Sequence, residues 1–186
     1  MNIDGRVVRR CVALLAVALF FMAPTKGVAQ SSGDSEEVSG LLAEAKTEAI
    51  QLERDAEEMK SFVLRSKKLS WESHAVKLTE IKQHVNSLGE LVTKMNNAEA
   101  KASPWQQQSI DRVTPLLRDL AASVTSTINH LNDNQNRLHF PPYPAYAAAN
   151  ADYATDIAQL VSDYVAYGGA KHKSEDLAQK LEVPGH

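Results

Sequence analysis

From Val38 to Val63 the apolar residues Val38, Leu42, Ala45, Ala49, Leu52, Ala56, Met59 and Val63 follow one another at alternating intervals of four and three. On an α-helix that alternation returns every member to one narrow stripe, whereas a strand would throw successive members to opposite faces. Such a stripe has to be buried against other helices. The same beat returns in Trp71, His74, Leu78, Ile81, Val85, Leu88, Val92 and Met95. It returns again from Ile110 through Val113, Leu117, Leu120, Val124, Thr127, Leu131 and Asn134 to Leu138. A fourth seam reads Tyr146, Asn150, Tyr153, Ile157, Leu160, Tyr164, Tyr167.

The segments between these seams are short, so consecutive helices are expected to run antiparallel. Helices are predicted over about 35–67, 70–101, 104–138 and 145–167, the last continuing to 183 if Gly168-Gly169 does not end it. Thirty residues make a rod of roughly 45 Å at 1.5 Å per residue, so the seams can meet along most of their length. The fold class is therefore all-α: an up-down-up-down antiparallel four-helix bundle with coiled-coil-like seams. A rival is a two-helix coiled coil that pairs with a second copy.

The sharpest start signal is Ser103-Pro104-Trp105-Gln106, where serine caps, proline fits the first helical position and Gln106 reaches back to complete a capping box. Pro115 falls on the side of the third helix away from its seam, which predicts a bend without a break. Phe140-Pro141-Pro142-Tyr143-Pro144 is expected to be non-helical and to separate the third helix from the fourth.

Ahead of the bundle, Arg6, Arg9 and Arg10 precede an apolar run from Cys11 to Ala23, then Pro24 and the small-x-small pattern Gly27-Val28-Ala29. This order predicts a helical signal peptide over 1–29, cut after Ala29, and then a polar lead-in over 30–34. The run of 13 apolar residues is too short for a spanning helix, which needs ~20. The expected location is outside the cytoplasm, periplasmic or extracellular, with no membrane association after cleavage. Ordinary Sec export fits the strongly apolar run better than a twin-arginine route resting on Arg9-Arg10 alone.

Cleavage removes Cys11, the one cysteine, so no disulfide or thiolate is available to the mature chain. It also moves the net charge from −3 to −6, by taking away four basic residues and Asp4. A mildly acidic domain is a poor match for nucleic acid or anionic lipid.

Chemistry is sparse. No Gly-x-Ser-x-Gly elbow, phosphate-cradling glycine loop or metalloprotease helix motif occurs. Glu80 and His84 stand four apart beside the seam, as a solvated helix pair would, and no Glu-x-x-His pair points inward. No catalytic residue, metal ligand or cofactor site is assigned. Counting from the turns puts His74, Asn134 and Asn150 at one level near a bundle end, with Tyr153 about one turn deeper and Tyr146 nearer the rim. These five are the candidate pocket residues. The alternative is that polar seam positions fix register, and that the tyrosines at 146, 153, 164 and 167 are core.

In architecture alone the chain resembles exported b-type cytochrome bundles, which implies a haem held by a Met and a His. Met59 could serve, but the fourth helix offers only His172, outside its seam. The expected function is thus that of a non-catalytic envelope protein acting through an unidentified protein partner or by self-association. The alternative is a small-ligand or sensor-like domain, with haem as its concrete case.

Overall fold

The structure, a computed structural model, describes residues 33–64 and 69–182. The predicted signal peptide over 1–29 with its expected cut after Ala29, and the predicted end of the first helix over 65–67, lie outside the described residues. Four helices make up nearly all of the rest: α1 (Glu36–Leu64), α2 (Trp71–Ala98), α3 (Pro104–Asp133) and α4 (Tyr143–Leu181), with a single 3₁₀ turn at Glu99–Lys101. No strand occurs among the described residues.

The helices pack against one another as a bundle. α1 lies against α2 and α4, and α3 lies against the same two, with α1–α4 the most extensive pairing and α2–α3 the thinnest. The α1 seam is buried from Val38 to Val63, and Ile81, Leu88, Met95, Ile110, Leu120 and Ile157 are fully buried with it. Each such side chain contributes roughly 1.5–3 kcal/mol by leaving water. Pro115 sits exposed inside an unbroken α3.

Two boundaries differ from the sequence reading, each for a local reason. α3 stops at Asp133 and not near 138, because the Asn134 carboxamide donates to the His130 carbonyl (3.1 Å) and the Asn134 backbone leaves helical geometry. Leu138 is nevertheless buried, carried inward by the loop. α4 begins at Tyr143, taking Tyr143 and Pro144 into its first turn, where a proline's missing N–H is one of the unpaired donors anyway. α4 also runs straight through Gly168-Gly169.

The α4 seam is the main correction. Tyr143, Ala147, Ala151, Ala154, Ala158 and Val161 are buried, while Tyr146, Tyr153 and Tyr164 are only half-buried and Tyr167 is 55% exposed. The helix is rotated so that its alanines face inward. α1 likewise buries Ala45, Ala49 and Ala56, and small residues on both let two backbones approach closely. Tyrosines on that face would have held them apart.

Candidate functional site

Of the residues forecast for one level near a bundle end, His74 meets other partners than those expected. His74 is fully buried on α2 and shares a 3.2 Å hydrogen bond between its Nδ1 and the Tyr143 hydroxyl. Phe62 meets the His74 ring edge-on at 5.9 Å, and Tyr143 lies 5.6 Å from it. His130 stacks on the other side of Tyr143 at 5.9 Å, and Tyr146 meets His130 edge-on at 5.7 Å. Tyr143 takes the level assigned to Asn150.

Asn150 instead forms its own buried pair, donating from Nδ2 to Thr127 Oγ1 at 2.9 Å. Asn134 caps α3, and Tyr153 packs at the edge of the core. The five candidates therefore do not converge on one pocket. Two polar atoms in these layers, His74 Nε2 and Asn150 Oδ1, are buried without a partner. Burial pushes the His74 imidazole below its ordinary range and raises the Tyr143 phenol, so both stay neutral.

A second polar cluster ties α1 to α2. His84 does not pair with Glu80. Its Nδ1 lies 2.7 Å from Glu48 Oε1 and its Nε2 lies 3.2 Å from Asp55 Oδ2. Lys77 approaches Asp55 (3.5 Å) and Glu58 (2.8 Å) and also contacts Glu80. Burial disfavours the Lys77 ammonium, yet Glu58 and Glu80 outweigh it and hold the amine above its ordinary range. Among the described residues no group of three or more His, Cys, Asp or Glu is arranged to hold a metal ion.

At the opposite end α3 begins with the capping box at Ser103, and Gln106 does more than cap. Fully buried, its Oε1 accepts from the Ser103 N–H (2.9 Å) and the Ser35 N–H (3.0 Å). Its Nε2 donates to the Ser35 carbonyl and to Ser39 Oγ, both at 2.9 Å. One side chain thus joins the first turns of α1 and α3. Beside it, Trp105 Nε1 donates to Asp34 Oδ1 at 2.8 Å, and Asp34 Oδ2 lies 3.1 Å from the Lys171 ammonium. Burial works against the Asp34 carboxylate, but bonds from Ser103, Trp105 and Lys171 prevail and hold its pKa below the ordinary 3.8. Its contribution to stability is whole above that pH and is lost as pH falls through the lower folded value.

Gly168 lets the Trp105 ring lie against α4: a Cβ there would stand 2.7 Å from Cη2 and 3.0 Å from Cζ2. Gly168→Ala is expected to lower stability by about 1 kcal/mol, since displacing the indole from Asp34 costs more than the helix gains. Gly169 has nothing within 4 Å of such a Cβ, so Gly169→Ala should raise stability by about 0.5–1 kcal/mol. Urea unfolding of the two variants checks the opposite signs.

The open concavities lie between helices. One stretch of the α2–α3 groove, of about 760 Å³, is lined by Val85, Val92, Leu117 and Ala121 with Arg118 and Lys94 beside them. A second stretch of about 250 Å³ shares Val85, Asn86 and Ala121 and continues to Val124 and Ile128. A separate groove of about 480 Å³ between α3 and α4 has walls of Trp105, Tyr164 and Tyr167.

The sequence reading missed Gln106 as a bridge, His84 as a clamp and the α3–α4 groove. The last was within reach: Ala147, Ala151, Ala154 and Ala158 form a competing seam at the same spacing, which turns Tyr164 and Tyr167 outward. No known protein family, curated protein or solved structure matches this chain.

Proposed function

We propose that this chain is an exported, non-catalytic interaction protein of the cell envelope that acts through its helical surface on a protein partner or a second copy. In this reading residues 1–29 are a signal peptide removed after Ala29, and the mature chain is periplasmic or extracellular. The bundle is up-down-up-down and antiparallel, with coiled-coil-like seams. Support for that topology comes from contacts along α1: Asp34 meets Lys171, while Lys60 lies 3.7 Å from Asp152, nearer the start of α4.

The observation that carries the reading is the α2–α3 groove. It is larger than the α3–α4 groove, it runs along the thinnest helix pairing, and its apolar floor with charged rims suits an amphipathic helix. No helix among the described residues is long and apolar enough to cross a membrane.

A small-ligand function is the second reading, favoured by the unpartnered His74 Nε2 and Asn150 Oδ1. Native mass spectrometry of protein recovered from its own export route decides between them. The expected spectrum starts at Gln30 and carries no small-molecule mass. A retained mass of haem or another ligand, lost in His74→Leu, would overturn the interaction reading in favour of the second.

A further inference from the structure

The groove between α3 and α4 is a concavity that the function proposed above does not use. Its walls combine three aromatic rings with three planar polar side chains, Gln108, Arg112 and Asp163. Trp105 is unusually fixed for a half-exposed indole. Its N–H is held by Asp34, its ring is seated on the bare backbone of Gly168, and Tyr167 meets it edge-on at 5.6 Å. A ring already held in place loses little freedom when a ligand stacks on it.

Among the described residues Arg112 has no ion pair or hydrogen bond inside the chain, nor does Gln108. Asp163 accepts one bond, on Oδ1 from Gln159 at 3.0 Å, which leaves Oδ2 open. From these facts we propose that the groove binds an oligosaccharide. The C–H faces of sugar rings stack on Trp105, Tyr164 and Tyr167, while Gln108, Asp163 and Arg112 exchange paired hydrogen bonds with vicinal hydroxyls. Arg112 adds preference for a sugar carboxylate.

The rival occupant of an aromatic groove is a proline-rich peptide. Such a peptide presents bare carbonyls and no N–H, so it would leave the open Asp163 Oδ2 without a donor, and the indole N–H here is already committed to Asp34. Ring faces and groups that both donate and accept fit a polyol better. The inference goes beyond the function proposed above, and it uses a face separate from the α2–α3 groove.

The test uses the full mature chain with Trp71→Phe, which leaves Trp105 as its sole tryptophan. Its emission is followed against three probes: a neutral 1,4-linked galactose tetrasaccharide, an acidic 1,4-linked galacturonate tetrasaccharide, and a ten-residue polyproline peptide. Both saccharides should shift the emission saturably, the acidic one more tightly. Tyr167→Ala, at an exposed position that leaves the fold intact, should weaken both by about ten-fold or more. Arg112→Gln should abolish the preference for the acidic probe.

If Trp71→Phe proves unstable, the same titration on the unaltered chain is read from the indole N–H resonance that Trp105→Phe removes. No response to either saccharide up to about 10 mM, or a response to polyproline alone, overturns the proposal. If native mass spectrometry still shows a protein partner or a second copy, that failure leaves the interaction reading standing. Turnover of a bound saccharide would instead sink the non-catalytic reading.

Discussion

Gln106→Leu is expected to cost about 3–5 kcal/mol, a large share of the stability of an ordinary domain. The substitution roughly preserves volume but strips the partners from the Ser35 and Ser103 N–H groups and one of two from the Ser35 carbonyl, which keeps the Ser39 N–H at 2.9 Å. Each buried backbone group left unpaired costs about 1–3 kcal/mol, with the lower figures where water reaches the bundle end. Gln106→Glu keeps the acceptor bonds and loses both donor bonds, so it should fall between wild type and Gln106→Leu. Urea midpoints with unchanged slopes would report this order. A loss below about 1 kcal/mol for Gln106→Leu would mean that the α1 start is not fastened through this side chain.

The second large effect is a coupling, and it has a pH signature. His74→Leu leaves the Tyr143 hydroxyl alone in the core, and Tyr143→Phe leaves both His74 nitrogens bare. Each should cost about 1–3 kcal/mol. The double variant removes every unpaired atom at once and should equal or exceed wild-type stability, a coupling of at least about 1 kcal/mol.

Burial lowers the His74 pKa from its ordinary 6.5, so on acidification the unfolded chain takes up the proton before the folded chain does. The stability tied to neutral His74 is therefore complete above about pH 6.5 and declines as pH falls toward the lower folded value. The Asp34 contribution begins to fall only near its ordinary 3.8, whereas the decline tied to His74 begins near 6.5. The double variant should show a flatter stability profile between them. Additive single variants, or an unchanged acid slope, would contradict the pairing of His74 with Tyr143.

Much of this fold could be read before any coordinates. The α1 seam from Val38 to Val63 and the α3 seam from Ile110 to Leu131 are strict enough that only one face of each helix can be inward. The Ser103 cap was equally legible, because proline at the next position leaves few other roles for it. α4 was harder: its tyrosines and its alanines both repeat at helical spacing, and hydrophobicity alone favours the larger ring. Close approach to α1 decides for the alanines, and that is a property of two helices together.

The site suffered for the same reason. Gln106, His84 and Trp105 act on residues between 29 and 71 positions away in the chain, so no local pattern displays their partners. His74 was found because it interrupts an apolar seam, and a polar residue in such a seam is visible from spacing alone.

The remaining question is whether the bundle closes within one polypeptide or between two. Thermal unfolding of residues 30–186 over a hundred-fold range of protein concentration answers it directly. A core supplied entirely by α1 to α4 of one chain stays helical and melts in a single cooperative transition even at the lowest concentration, whether or not its surface pairs with a second copy. Loss of helix and of the cooperative transition on dilution would mean that a second chain completes the core, contradicting intrachain closure.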